Sequence, residues 1–300
     1  MEAVFGIDLG GTKMEGVVLP FKGSTEPIAR LRLPTESEKG YQHIVDQLAK
    51  LRIQLEDASG LKAKRIGICT PGTVDPKSGL HKNSNTTCLN GQSFRQDLEN
   101  KFGIPVAMAN DANCFALAEA TLGAVKDQVP NAQVVFGIIM GTGVGGGLVV
   151  NGKVLNGAHG IAGEWGHNFL DESGGPCYCG KSGCVEKVIA GPSLEKFYQQ
   201  ESGTKKNLKD ILDAYESGND PVAVLTIDRL IHFFGIAVSV LINIIDPDAI
   251  VIGGGVGNID LLYTKGVLEV KKHIFNAELN TTFLKPALGD SAGVFGAAML

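Results

Sequence analysis

The chain has 300 residues, 44% of them apolar and 20% charged, which is enough for a large buried core and excludes a disordered or disulfide-stapled polypeptide. Lys plus Arg total 27 against 32 Asp plus Glu, a net charge of −5 that offers no basic footprint to a nucleic-acid backbone. Glycine is the outlier at 40 residues with no G-X-Y period, so many tight turns and close backbone approaches are expected.

Residues 4–7 and 15–19 read as strands joined by Asp8-Leu9-Gly10-Gly11-Thr12-Lys13, a hairpin whose glycines are expected where φ is positive. The acid at Glu2 and the short apolar run after it lack the features of a signal peptide, so a cytoplasmic protein is expected. Residues 41–55 carry Ile44, Val45, Leu48, Leu51, Ile53 and Leu55 at helical spacing, and 65–69 form a strand stopped by Thr70-Pro71-Gly72. Residues 105–109 are another strand, ending at Asn110-Asp111-Ala112-Asn113; a helix over 114–122 follows, with Gly123 as its stop. A strand at 134–140, the turn Gly141-Thr142-Gly143-Val144-Gly145-Gly146-Gly147 and a strand at 148–150 repeat the opening hairpin. The echo predicts two related α/β halves, with a boundary near residues 117–130 and ligand between them. Polar helices follow at about 192–218, then an apolar helix at 222–245, a break at Asp246-Pro247-Asp248, a strand at 249–252 and the turn Gly253-Gly254-Gly255. The apolar stretch 230–245 contains His232, Gly235, Ser239 and Asn243. It falls short of the roughly 20 clean residues a membrane span needs, so a buried helix is expected. Residues 289–298 read as a short, closely packed helix.

Two pattern matches are set aside. Gly175-Pro176-Cys177-Tyr178-Cys179-Gly180-Lys181-Ser182 fits G-x-x-x-x-G-K-S, but a P-loop follows a buried strand and opens a helix, and here Asp171-Glu172-Ser173-Gly174 precedes it. Gly141 to Gly146 fits G-x-G-x-x-G, yet β-like Leu148-Val149-Val150 follows in place of the helix that would hold a pyrophosphate, which argues against a dinucleotide-binding oxidoreductase. Both loops can still cradle phosphate, because successive N–H groups in a glycine turn line an anion-binding concavity. Read singly, either is an ordinary tight hairpin. Asp8, beside the first, could hold the hydrated Mg²⁺ that accompanies ATP, and Thr12 and Lys13 add phosphate donors. Asp111, at a strand end, reads alone as a helix N-cap. Between two phosphate clamps it is the carboxylate that phosphoryl transfer to an alcohol needs to accept the hydroxyl proton. Asn110 and Asn85 could hydrogen-bond sugar hydroxyls, although Asn85 sits in a polar run that also reads as a surface loop.

Six cysteines in a reducing compartment suggest thiols or metal ligands. Cys69, Cys88 and Cys114 are scattered, whereas Cys177, Cys179 and Cys184 cluster and follow His167, a Cys₃His set typical of structural zinc. Their Gly-rich, polar surroundings are a poor core for three free thiols. Glu164 and His167, three apart, could share one face of a turn, and with zinc on one nitrogen of His167 the other could meet substrate. Glu186 would be pinned to the same place. Either glutamate alone reads as a solvated charge.

Asp8-Leu9-Gly10-Gly11-Thr12-Lys13, Asn110-Asp111-Ala112-Asn113, Gly141-Thr142-Gly143-Val144-Gly145, Gly163-Glu164-x-Gly166-His167 and Cys177-x-Cys179-Gly180-x2-Gly183-Cys184-x-Glu186 together resemble the ROK family of sugar kinases, and Asp246-Pro247-Asp248, the Gly253 turn and the C-terminal helix extend the likeness over the chain. The resemblance implies an α/β, actin-like ATPase (ribonuclease H-like) fold with two lobes and a cleft between them. Residues 1–117 and 118–300 are the expected lobes, the last helix (about 290–300) packing back toward the first. It further implies ATP phosphates at Gly10, Gly11, Thr12, Lys13, Gly141, Thr142 and Gly143, and adenosine near Gly253, Gly254 and Gly255. Asp111 is the implied base, and Asn110, Glu164, His167 and Glu186 are the implied sugar ligands, to which the polar run around Asn85 adds that residue as a candidate. The expected partner is a small hexose, with neither nucleic acid nor membrane, and the expected assembly is a homodimer. Repressors of the family carry a helix-turn-helix module before the first hairpin, which here starts at Val4, so a repressor is not expected. Residues 82–92, Trp165 and Pro176 to Lys181 resemble bacterial fructokinases with mannokinase activity, whereas N-acetylglucosamine kinases of the family share the stretch 110–117. Fructose is therefore the expected substrate, with mannose or glucose secondary and an N-acetylglucosamine or glucose kinase as the alternative. Trp165 beside Glu164 is expected to leave little room for an N-acetyl group. A sugar-sensing binding protein is the non-enzyme alternative, and the intact Asp111 argues against it.

Overall fold

The computed structural model describes residues 2–300, which divide into two compact units. The first comprises the chain up to Gln133 together with Gly147–Ala162 and Ala287–Leu300. Its main sheet has the order β3-β2-β1-β4-β7, from β1 (Val4–Leu9), β2 (Lys13–Leu19), β3 (Ala29–Pro34), β4 (Ile66–Thr70) and β7 (Val106–Asn110). β1, β2 and β3 form an antiparallel meander, and β1, β4 and β7 run parallel. β5 (Thr73–Val74) and β6 (His81–Lys82) make a separate small ribbon. Every residue of β4 is buried, the continuous apolar pattern of a strand covered on both faces.

The two faces are covered in different ways. Phe5, Ile7 and Leu9 share a core with Ile44, Leu48, Leu51 and Leu55 of α1 (Tyr41–Ser59) and with Phe94, Leu98 and Phe102 of α2 (Phe94–Phe102). The alternate residue Gly6 meets the C-terminal helix: a Cβ there would lie 2.5 Å from the Ala298 nitrogen, and one at Gly67 would lie 1.8 Å from the Ala297 oxygen. That helix, Ala292–Met299, also touches α3 (Asp111–Thr121), where a Cβ at Gly296 would sit 1.9 Å from the Cys114 carbonyl oxygen. Glycine thus lets backbone lie on backbone around the strand ends that carry Asp8 and Asp111. Helix α4 (Ala124–Gln128) follows α3, its first N–H held by the buried Glu119 carboxylate at 2.9 Å.

The second unit comprises Val134–Gly146 and Gly163–Pro286. A second five-stranded sheet is made from β8 (Val134–Met140), β9 (Val144–Val150), β10 (Lys153–Val154), β11 (Ala249–Gly253) and β12 (Thr282–Leu284). Its order, β10-β9-β8-β11-β12, is that of the first sheet, so the echoed hairpin in the sequence is matched by an echoed topology. Short α5 (Val185–Ile189) leads to α6 (Gly191–Ser202), α7 (Leu208–Ser217), α8 (Pro221–Ile245) and α9 (Lys265–His273); the C-terminal helix is α10. Asp220 caps α8 by accepting the N–H groups of Val222 and Ala223 at 3.0 Å, with Pro221 at the first helical position. α8 is long and apolar enough to cross a membrane, yet 61% of its most apolar stretch is buried within the protein.

The expected glycine geometry needs one correction. Gly10, Gly11, Gly141 and Gly143 are not among the glycines with positive φ, whereas Gly254 is, at 85°. Crowding accounts for two of them: a Cβ at Gly10 would lie 2.8 Å from the Lys13 oxygen, and one at Gly143 would lie 2.6 Å from Glu186 Oε2, whereas Gly11 and Gly141 have room for one.

Candidate active site

In the first unit, Asp8 lies near the end of β1, paired with Glu15 on β2 and Cys69 on β4. Burial pushes its carboxyl above the usual range; the Cys69 thiol, donating to it, pulls the other way, and the charge of Asp111 adds to the rise. The loop after it is tied down through its carbonyls, Thr35 Oγ1 donating to Gly10 O at 2.6 Å and Ser37 Oγ to Gly11 O at 3.2 Å. Gly11, Thr12 and Lys13 remain exposed.

The helix cap falls one residue before Asp111, not on it. Asn110 is the N-cap of α3, its Oδ1 accepting the Asn113 N–H at 2.8 Å, so Asp111 occupies the first helical position. Asp111 is open to solvent, yet the protein atoms around it raise its carboxyl above the usual range while the Ala112 N–H, at 2.9 Å, opposes the rise. Asn110 is almost fully buried and half committed to capping. Asn85 is exposed on a loop fastened from below, where Asn90 bridges to the Ser84 N–H and carbonyl at 2.9 Å. The neighbouring Thr86 comes within 4.0 Å of where a Cβ at Gly11 would lie.

In the second unit the structure brings together residues far apart in sequence. Gly141 N–H closes onto Gly143 O at 2.9 Å, and Gly141 O accepts the Gly191 N–H at 2.9 Å, joining the hairpin to the start of α6. A Cβ at Gly141 would stand 3.7 Å from the Gly255 nitrogen, so the Gly253-Gly254-Gly255 turn adjoins this loop. Glu186 reaches it as well, Oε2 accepting the Val144 N–H at 3.1 Å.

The cysteine cluster has the geometry of a metal cage. His167 Nδ1 lies 3.6 Å from Cys177 Sγ, Cys179 Sγ lies 3.6 Å from Cys184 Sγ, and all four ligand atoms fall within 4.8 Å of one another. A tetrahedral zinc with its usual bond lengths has S···S edges of about 3.8 Å and S···N edges of about 3.6 Å. With Nδ1 turned to the sulfurs, His167 Nε2 faces the Tyr178 hydroxyl at 3.0 Å, the rings edge to face at 5.1 Å. Tyr178 is 81% exposed, yet burial of its hydroxyl and the nearby Glu186, Cys177 and Glu164 push its pKa up to about 12, which places both glutamates beside the His167 turn. Sequence reasoning missed Tyr178 and Cys69. An exposed tyrosine and a buried thiol carry no spacing signal.

Trp165 overturns one expectation. It is 4% exposed, its indole N–H donates to Gly145 O at 3.0 Å, and its ring packs edge to face on Phe136 at 6.3 Å. A Cβ at Gly146 would come 2.7 Å from it, so that glycine exists to admit the ring into the core. Trp165 is therefore a core side chain and does not narrow a sugar pocket.

Two sheets of one strand order, each opening on a glycine hairpin, place the chain among the actin-like ATPases, in the class of ATP-dependent sugar kinases. The ROK family profile matches residues 4–300, and the chain belongs to that family. Among its relatives, the N-acetyl-D-glucosamine kinase of Aliivibrio fischeri is 36% identical over 99% of this chain and 98% of its own length, and that of Vibrio cholerae is 35% identical over the same shares. Among solved structures, the ROK hexokinase of Thermus thermophilus superposes with a TM-score of 0.87 at 32% identity, covering 99% of this chain and 97% of that one. A ROK family glucokinase from Streptomyces griseus, in complex with glucose and AMPPNP, gives 0.73 at 27% identity, with 99% and 98% covered. The expected likeness to fructokinases finds no support among these proteins, whereas the alternative does.

Proposed function

We propose that this protein transfers the γ-phosphoryl group of ATP to a hydroxyl of N-acetylglucosamine. The observation that carries the substrate is the full-length similarity to N-acetyl-D-glucosamine kinases, and the burial of Trp165 removes the steric objection to an acetamido group. Asp111 accepts the hydroxyl proton as the new O–P bond forms and the bond to ADP breaks; its place at the first helical position, with capping delegated to Asn110, leaves the carboxylate available. Backbone N–H groups of the 10–13 and 141–143 loops hold phosphate oxygens, Lys13 adds a positive charge, and Gly253 to Gly255 lie against the adenosine. Asp8 fits a hydrated Mg²⁺, which neutralises phosphate charge when bound; its carboxyl is raised chiefly by burial, with Asp111 and Glu15 adding negative charge that the Lys13 ammonium only partly offsets.

Asn85, Asn110, Glu164, His167 and Glu186 bind the sugar. The cage of His167, Cys177, Cys179 and Cys184 suits a structural Zn²⁺, which would hold His167 by Nδ1 and leave the Nε2 proton for a sugar hydroxyl in place of Tyr178. We assign the protein to the cytoplasm, where ATP is abundant and a thiolate cage stays reduced. The test is kcat/KM for N-acetylglucosamine, N-acetylmannosamine, glucose, mannose and fructose with Mg-ATP. N-acetylglucosamine is expected to lead. Fructose in first place would overturn the substrate and leave the kinase chemistry standing.

A further inference from the structure

Helices α8 and α9 lie against each other in the second unit, and Gly235 opens a notch in α8: a Cβ there would lie 2.4 Å from Glu269 Cγ. The stem of Glu269 fills that notch, which delivers its carboxylate to His232 on α8 and to His273 one turn further along α9. Glu269 Oε1 is 3.4 Å from His232 Nδ1 and 3.2 Å from His273 Nε2. Oε2 is engaged by Lys272 Nζ at 2.5 Å, so one carboxylate oxygen faces both imidazoles.

We propose that His232, Glu269 and His273 form a divalent transition-metal site, separate from the cysteine cage, that takes Zn²⁺ or a metal of similar softness and fastens α9 to α8. With bonds of about 2.0–2.1 Å, a tetrahedral zinc has N···O edges of about 3.4 Å, and the two imidazole-to-carboxylate separations match that already. All three ligand atoms lie within 4.8 Å of one another. Two imidazoles and one carboxylate suit Zn²⁺, Co²⁺ or Ni²⁺ better than Mg²⁺ or Ca²⁺, which prefer oxygen. Glu269 and His273, four apart on α9, project on the same face, and the His232 ring is packed edge to face on Phe233 at 5.1 Å. The fourth position is left to water.

The experiment is zinc titration of the full chain, stripped with chelator, followed by elemental analysis after gel filtration. It compares the wild type with His232→Ala/His273→Ala and with Glu269→Gln, whose stem still fills the Gly235 notch. Both variants are expected to hold one equivalent fewer than the wild type at micromolar free zinc, and to lose part of the zinc-dependent rise in Tm. With Co²⁺, the thiolate charge-transfer absorption of the cysteine cage should be the same in all three proteins. An unchanged number of equivalents in the two variants, or a difference seen only at millimolar zinc, overturns the site.

Discussion

Gly296→Ala should loosen the first unit, because of the close contact between α10 and α3. The new Cβ would stand 1.9 Å from the Cys114 carbonyl oxygen, 2.5 Å from its carbon and 2.7 Å from its Cα, all backbone atoms in the first turns of α3. Ordinary contact begins near 3.4 Å, so α10 must withdraw by about 1.5 Å. It cannot do so without disturbing its other close contacts, since Gly293 rests on the Asp8 carboxylate and Ala297 and Ala298 rest on Gly67 and Gly6. Overpacking typically costs about 1–3 kcal/mol, and a clash with backbone belongs at the upper end. For a unit of this size each kcal/mol lowers Tm by about 2–4 °C, giving a fall of about 6–12 °C. Because α3 begins at Asp111, kcat should fall as well. Scanning calorimetry against Gly255→Ala, where a Cβ meets open space and a change under about 0.5 kcal/mol is expected, is the assay. A Tm within about 2 °C of wild type would refute the reasoning.

Two further outcomes follow from the site. Protein purified without chelator should lose one zinc equivalent on Cys179→Ser and weaken for the sugar in the same variant, as read by elemental analysis and KM; full sugar affinity without that metal would separate the cage from the pocket. The raised carboxyl of Asp111 must be ionised to accept a proton, so kcat/KM should decline on acidification from a higher pH than an ordinary carboxylate would give, and a profile flat down to about pH 4 would contradict the assignment.

Much of the fold was legible because its signals are local. The two glycine hairpins, the strand leading to Asn110 and the apolar helix around Leu230 announce themselves through strand composition, turn residues and helical spacing. What sequence could not supply came from contacts between distant segments. Gly6 and Gly67 sit inside expected strands and Gly296 inside the expected last helix, but the reason for a glycine there shows only when α10 is laid on the sheet and on α3, just as Gly143 looks like a phosphate-loop glycine until Glu186 is found beside it. β3, whose burial alternates, and α2, which buries Phe94, Leu98 and Phe102, carry patterns as local as those of the expected elements. Trp165 misled for a related reason: beside Glu164 in sequence it suggests a pocket wall, whereas the bond to Gly145 and the bare backbone of Gly146 draw it inward. The cage was visible from spacing alone, but the side chain covering His167 Nε2 was not.

The most direct test of the account is Asp111→Asn, which keeps the size of the side chain and removes its capacity to take a proton. Since Asn110 supplies the cap, the fold should survive with Tm close to wild type. Turnover of N-acetylglucosamine with Mg-ATP should fall by about 10²–10⁴-fold, while the affinity for the sugar, measured by calorimetry without ATP, should stay within about threefold. A variant that turns over within about threefold of wild type would contradict the assignment of Asp111 as the base.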